Sequence, residues 1–481
     1  MTTTDAPTSA RLPAALVRMS VPVLLITLAV QLDGTMTSVA LKTLLVEFHT
    51  TLPTIQGVGT GYLLAFCTVI PAAGWAIERF GLKSTWLAAI ALFLIGSIAC
   101  GAAWSAESLI IFRIVQGIGG GLLLPVSQSA LVLNAQPAVL GRLMAVVAIP
   151  SLLGPVFGPA LGGLLVDHAS WRWIFYVNVP ICLLAIVLSL AYFPRNEKVA
   201  EGAPLDKVGL LLVSPGLGAL AYGLSQAGIT GRWDGPKVLW PVVAGALLMG
   251  AFVWHAWNVR KVPPLLDLRL FRSRSFAAAS GVLLTAGLMM FGSSLLLPLY
   301  YQQVRGFGAG HAGLLMASQG LGMAISMALS GRLIDRLAPR TLVLGGAVVV
   351  LAGVAPLTQL TSGTSTTLIS VAIAVAGLGM GALMVPSMTT AYSGLAREQI
   401  PRATSALRTF MQLGGPFGMA LFAVSLQHNL GRGDPGIAFG TTFWWAVGIA
   451  VVTLLPAMFL PHRRPSAAPA PADATAEVPA G

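Results

Sequence analysis

Charge is what this sequence has least of. Only 9% of its 481 residues are Asp, Glu, Lys or Arg, against 56% hydrophobic ones. A soluble globular chain carries roughly 25% charged residues. So few charges cannot cover a compact surface with solvated groups. That excludes a soluble enzyme, a disordered regulator and a fibrous protein, and it puts the bulk of the chain in lipid. Acids are scarcer than bases, 16 against 28, which leaves a net charge of +12. On a soluble domain that balance would point to nucleic acid. Here the basic residues fall singly or in small groups between apolar stretches, which suits loops at an anionic membrane surface instead.

Cysteine is nearly absent. Cys67, Cys100 and Cys182 all lie inside apolar stretches, without a CxxC spacing or a neighbouring His. They imply no metal site and no disulfide framework. The six histidines, His49, His168, His255, His311, His428 and His462, fall at loops or at the ends of apolar runs. They build no catalytic triad and no metal set, so a multi-pass membrane enzyme such as an acyltransferase is disfavoured. No cofactor is expected.

Long hydrophobic runs are what the sequence has in plenty. A spanning helix needs about 20 apolar residues, and about fourteen such runs can be read. Six lie at 19–45, 55–78, 84–104, 107–133, 140–166 and 173–193. A polar segment from Pro194 to Lys207 precedes two more, at 208–227 and 238–258. After a basic stretch, Arg260 to Arg274, the last six lie at 276–301, 309–334, 340–360, 366–393, 402–427 and 438–460. The first run carries Asp33 and is followed by further spans, so it does not read as a signal peptide. The Ala/Pro-rich segment after Arg464 reads as disordered.

Loop charges set an orientation. The N-terminus, every second loop and the C-terminus together hold 20 of the 28 basic residues, and the opposite loops hold six. By the positive-inside rule both termini face the cytoplasm. The same alternation supports an even number of spans. The runs group as six, two and six, and the sixes echo each other. Gly74-Trp-Ala-Ile-Glu78-Arg79-Phe-Gly81-Leu-Lys83 follows the second run, and Gly331-Arg332-Leu-Ile-Asp335-Arg336 follows the tenth. Repeated halves around a midplane site are a common plan of secondary transporters. The expected organisation is a tail at 1–18, a six-helix bundle at 19–193, a linker with two additional helices at 194–275, a second bundle at 276–460 and a tail at 461–481.

Few charges lie within the runs, and those few draw attention. Asp33 is the only acid well inside one. A carboxylate in hydrocarbon is costly, so it faces a cavity or finds a partner. Desolvation favours the neutral acid and a neighbouring cation favours the carboxylate. Opposed pulls of that kind suit a group that takes and releases a proton. Arg113 sits in the fourth run, within Arg113-Ile-Val-Gln116-Gly117-Ile-Gly119-Gly120-Gly121. Asp33 lies fourteen residues beyond Met19, roughly 21 Å along a helix. That leaves about 9 Å to the outer edge of a ~30 Å core. Arg113, six residues into a helix running inward, lies at the same depth. Two readings stay open: pairing with Asp33 across a cavity, or snorkelling to the outer headgroups. Arg408, near the inner end of its run, likewise either snorkels or serves an intracellular gate.

Glycine marks the fifth run, Gly154-Pro155-Val-Phe-Gly158-Pro159-Ala-Leu-Gly162-Gly163. Glycines every four residues make one smooth helix face, and the prolines bend the helix. Rocking of two bundles needs such a seam. In the Gly74–Lys83 loop, Glu78 suits the N-terminus of a neighbouring helix, whose dipole favours an anion.

These motifs together resemble the major facilitator superfamily, and more narrowly its fourteen-span drug:proton antiporters. Gly74–Lys83 resembles the superfamily's loop signature, with Glu78 where Asp is usual. Arg113–Gly121 is similar to the fourth-helix motif and Gly154–Gly163 to the fifth-helix motif of antiporters. Leu32-Asp33-Gly34-Thr35, with Val39-Ala40-Leu41, resembles the first-helix motif of the fourteen-span branch, as does the run from Trp171 to Pro180. The resemblance implies two six-helix bundles with two extra central helices, and alternating access driven by a proton gradient. Its substrate would be a lipophilic or cationic compound, exported across the cytoplasmic membrane by a monomer. Asp33 would carry the proton, Arg113 would tune it, and Gln116 would share the network. Glu78, with Gly74, Arg79, Gly81, Lys83, Asp335, Arg336 and Arg408, would belong to the conformational gate, and Glu78 would touch the start of the thirteenth helix in one state. A facilitator-type importer or uniporter of a small polar solute on the same fold is the alternative. Candidates for the substrate cavity are Gln31, Tyr62, Phe66, Phe291, Tyr301, Gln319, Met384 and Gln412, because methionines and aromatics make adaptable apolar surfaces.

Overall fold

The computed structural model describes residues 13–135, 139–140, 143, 154, 157–158, 161–194, 204–259, 262–334, 336–430 and 434–462. Every regular element among them is helical. In lipid a backbone N–H or C=O has no water to bond, so a chain of this composition satisfies its backbone within helices.

The first half holds α1 (Ala14–Glu47), α2 (Leu52–Val69), α3 (Ala72–Phe80), α4 (Leu82–Gly101), α5 (Ala106–Asn134), a helical stretch at 161–168 (α6), α7 (Trp173–Tyr176) and α8 (Asn178–Tyr192). Then come α9 (Lys207–Thr230) and α10 (Pro236–Asn258). The second half holds α11 (Arg274–Leu299), α12 (Ala309–Leu333), α13 (Pro339–Val354), α14 (Thr366–Tyr392), α15 (Ile400–Leu430) and α16 (Pro435–Met458). Twelve of the described helical segments are long and apolar enough to cross a membrane, and the α2–α3 pair makes a possible thirteenth. The fifth expected run, 140–166, falls mostly outside the described residues, as do Pro155, Pro159, Asp335 and the tail after His462.

One expected span is not a single straight rod. The run read as 55–78 divides into α2 and α3, bent by 57°. Pro71 stands in the break and has no N–H for the helical ladder. Gly81 then turns the chain into α4 with φ of +85°, a conformation that favours glycine.

In the first half, α4 packs on α5, α2 on α5, and α8 on α1 and α4. Trp86 Nε1 donates to Ser189 Oγ at 2.8 Å and its ring stacks on Phe193, fastening α4 to α8. In the second half, α14 lies between α12 and α13, and α11 packs on α15 and α16. Direct contact between the halves is densest where α15 crosses α3 and α5.

The two additional helices are more than an outer scaffold. α9 packs against α2 of one half and α15 of the other, and α10 lies on its far side. Ser214 Oγ donates to the Thr68 carbonyl at 2.6 Å, while Gly228 faces Ala420 and Ala423. α10 turns Trp240, Trp254 and Trp257 outward, as a lipid-facing helix can. Asp206 joins the pair: its Oδ1 accepts from Gly209 N at 2.8 Å, capping α9, and meets His255 Nε2 of α10 at 2.8 Å. Asp206→Ala should therefore cost about 1 kcal/mol from the lost cap, with a further loss from the His255 contact. The expected reading is a lower melting temperature in detergent than for His255→Ala, which leaves the cap intact.

Candidate functional site: a buried charge cluster and a clamp between the halves

The charge cluster begins with a problem of solvation. Asp33 on α1 is 0% exposed and Arg113 on α5 is 1% exposed. Each ion alone at that depth would lose several kcal/mol of hydration, so neither is tolerable without a partner. They meet directly: Arg113 Nη1 donates to Asp33 Oδ2 at 2.6 Å. The two residues that helix arithmetic places at one depth are thus in contact, and Arg113 does not snorkel.

Neighbouring helices supply the remaining bonds. Gln116, one turn below Arg113, donates from Nε2 to Asp33 Oδ1 at 2.8 Å and accepts from Arg113 Nη1 at 2.7 Å. Its Nε2 also reaches Ser97 Oγ of α4 at 2.8 Å. Asn178, at the start of α8, donates to Asp33 Oδ1 at 3.0 Å. Arg113 Nε donates to the Val58 carbonyl of α2 at 3.4 Å, and the guanidinium lies 4.0 Å from the centre of the Tyr62 ring. Five helices thus contribute to one polar network around the carboxylate, and α5 and α8 bond it directly. Neither Ser97 nor Asn178 is among the residues singled out from sequence as site candidates. The available signal was a polar side chain at mid-depth in an apolar run, and many such residues merely bond their own helix.

The glycines of the fifth run pack where sequence alone does not place them. A Cβ on Gly154 would come 2.5 Å from Gln31 Cβ, and one on Gly162 would come 3.0 Å from Met36 Cα. A Cβ on Gly158 would collide with Thr35. The described part of this face lies against α1, within one half, rather than at the seam between halves. It closes around the helix that carries Asp33, and Thr35 Oγ1 bonds the Gly154 carbonyl at 3.1 Å. Gly163 points away, with nothing near its Cβ position.

A second buried ion pair clamps the halves together. Glu78, at the end of α3, accepts from Arg402 Nε at 2.7 Å and from Arg402 Nη2 at 2.6 Å. A bidentate fork of this kind is a strong, directional contact. Arg402 stands in the first turn of α15, where the helix dipole also favours an anion. Its Nη1 donates to the Pro264 carbonyl in the linker at 3.0 Å. Gly74, one turn before Glu78, faces the same helix: a Cβ there would stand 3.1 Å from Arg402 Cα and from the Pro401 carbonyl. Arg408 joins the same seam, donating from Nε to Gln128 Oε1 of α5 at 2.6 Å, and Gln128 Nε2 lies 3.5 Å from Met388 Sδ.

Other residues of the loop motif do different work. Lys83 Nζ donates to the Leu190 and Phe193 carbonyls at 2.9 and 3.2 Å, so it caps α8 within the first half. Arg79 and Arg336 are exposed, and Gly81 makes the turn described above.

The cavity candidates scatter. Tyr62 and Phe66 are buried, tilted against each other at 5.8 Å, with Tyr62 beneath Arg113. Tyr301 stacks on Phe307 at 6.1 Å. Phe291 lies over Gly415, and Gln31 and Gln319 are half-buried. Gln412 borders a small space beside Cys67 and Leu217, between α2, α9 and α15. Met384 belongs to a cluster with Met290, Met323, Met327 and Met411, drawn from α11, α12, α14 and α15. Met323 and Met327 are not among the sequence candidates, because only packing brings them to the other methionines.

An ion pair buried in the spanning core and a second one joining two helical halves define a polytopic membrane transporter. The sequence profile of the Major Facilitator Superfamily matches residues 23–419 and 283–479, and the chain belongs to that superfamily. It is a transporter and not an enzyme. The chain is 37% identical over 503 residues to the "Multidrug resistance protein B homolog" of Mycobacterium tuberculosis, covering 96% of this chain and 93% of that one. It is 32% identical over 409 residues to the "Multidrug export protein EmrB" of Haemophilus influenzae, with 85% and 80% covered. Among solved structures, the proton:xylose symporter XylE shares the fold, with a TM-score of 0.63 at 15% identity over 93% of this chain and 95% of that one.

Removing one member of the central pair should be worse than removing both. Arg113→Leu strands a buried carboxylate, at a cost of about 3–5 kcal/mol. The double variant Asp33→Leu with Arg113→Leu should recover most of that loss. Thermal melting of the purified variants in one detergent checks the order.

Proposed function

We propose that this transporter is a proton-coupled antiporter that exports lipophilic or cationic compounds across the cytoplasmic membrane. The observation that carries the reading is Asp33, a carboxylate held at membrane depth by a cation and two carboxamides. Structure alone does not require an acid there, since a well-packed apolar group would be as stable or more so. The relatives named for multidrug resistance and multidrug export support the substrate class. Proton entry neutralises Asp33, weakens its hold on Arg113 and loosens α1 from α5. The gradient supplies enough: one charge moved through 100 mV is worth about 2.3 kcal/mol.

In this reading the fifth run completes fourteen spans, and both termini lie in the cytoplasm. The Glu78–Arg402 fork and the Arg408–Gln128 bond then close the cytoplasmic mouth, and they must break for substrate to enter from inside. The chain acts as a monomer, since each half supplies one side of the clamp.

Asp33→Asn should abolish efflux of a lipophilic cation driven by an imposed proton gradient in inside-out vesicles, at unchanged protein level in the membrane. Undiminished transport would overturn the assignment. Glu78→Gln should populate the inward-open form. Spin labels at Arg79→Cys and Arg336→Cys, both exposed positions, would then report a broader and longer distance distribution than in the parent.

A further inference from the structure

The bonds around Asp33 leave one acceptor unused, and it is buried. Asn178 is 0% exposed, and its Oδ1 has no hydrogen-bond partner among the described residues. Its Nδ2 is engaged, with Asp33 Oδ1 at 3.0 Å and Ser97 Oγ at 3.4 Å. An unpaired buried carbonyl is costly, and such groups call for an explanation. Nothing else that bonds the Asp33 carboxylate could accept from it. Arg113 only donates. Gln116 is committed at both ends, its Oε1 to Arg113 and its Nε2 to Asp33 and Ser97.

We infer that Asn178 is a positioning residue that serves both charge states of Asp33, donating to the carboxylate and, after a half-turn of its amide, accepting from the carboxylic acid. The inference rests on the proton coupling proposed above. While Asp33 is ionised, two acceptors cannot face each other, so Nδ2 must point inward and Oδ1 is left idle. When a proton binds Asp33 Oδ1, that oxygen becomes a donor and needs an acceptor. Turning about the Cβ–Cγ bond exchanges Nδ2 and Oδ1 without moving the backbone. The acid O–H then donates to Asn178 Oδ1, while Gln116 Nε2 keeps Ser97 and Arg113 keeps Gln116 Oε1. Only the O–H bond forms, and its proton returns to solvent when the amide turns back. The other titratable or charged groups near Asp33 are Arg113 of α5, Tyr62 of α2, Cys100 of α4 and Cys182 of α8. Among the described residues none of the four is hydrogen-bonded to Asp33 as an acceptor, and the Tyr62 hydroxyl, which is also buried without a partner, does not reach it.

Asn178→Leu removes the donor and the acceptor together. The carboxylate loses a charge-assisted bond and the acid loses a weaker neutral one, so the two losses oppose each other. The stronger bond decides the sign, and the protonation midpoint should move up by about one pH unit or less. Infrared titration of the full-length protein in liposomes reads this directly. Acidifying the parent should raise a protonated-carboxyl C=O band that is missing in Asp33→Asn. In Asn178→Leu that band should appear at higher wavenumber, as befits a carboxyl without an acceptor. Asn178→Ala should do the same if the leucine variant folds poorly. The parent grown with isotope-labelled asparagine needs no variant: a side-chain amide band should shift with the carboxyl midpoint. A band with the parent's frequency in the Asn178 variants, or a labelled amide that ignores the titration, overturns this role and leaves proton coupling standing. Absence of any Asp33-dependent band overturns the coupling itself, and this inference with it.

Discussion

The cost of holding a charge in hydrocarbon organises this molecule. Apolar runs as long as these need no partner to be stable in lipid, and they pack on one another with little to specify position. Asp33 and Arg113 change that. Two ions buried within the spanning core must find each other, and once paired they demand further donors and acceptors. Gln116, Ser97, Asn178 and the Val58 carbonyl meet that demand from separate helices. The same requirement that makes the pair expensive therefore fixes how α1, α2, α4, α5 and α8 sit together. A site built this way is sensitive to one proton, because neutralising Asp33 removes the reason for the arrangement.

The contact between the halves follows the same rule on a smaller scale. Glu78 and Arg402 are 5% and 8% exposed, so their fork is buried as well, though less completely than Asp33 and Arg113. Each of these ions has lost most of its hydration and depends on the other. Gly74 packs against Pro401 and Arg402 beside the fork, and much further along α15 Gly228 of α9 packs against Ala420 and Ala423. Close approach without interlocking side chains lets two helices slide. α9 lies across α2 and α15, which gives the two additional helices a place in the contact between the halves.

Much of the site was legible before any fold was known, because charge is so rare here that each buried instance stands out. Asp33 and Arg113 could be matched in depth by counting residues, and Glu78 could be aimed at a helix start by its sign. Asn178 and Ser97 could not be found that way. A neutral polar side chain within an apolar run usually bonds the preceding turn of its own helix, as Thr27 and Ser280 do. The glycine face of the fifth run was visible as a stripe, but a stripe does not name the helix it meets. The methionine cluster draws on four helices whose mutual rotation no periodicity reveals.

By itself the sequence determined the membrane class, the alternation of basic loops and the short inventory of charges in the core. Those follow from local quantities: hydropathy summed over a run, the sign of a loop, the position of a residue along its helix. Tertiary structure decided which polar groups share Asp33, which arginine takes Glu78, where the chain bends at Pro71 and what α9 covers. Each of these depends on how helices far apart in the chain are rotated against one another. That rotation is set by packing and by the need to satisfy buried ions, and a linear reading carries neither.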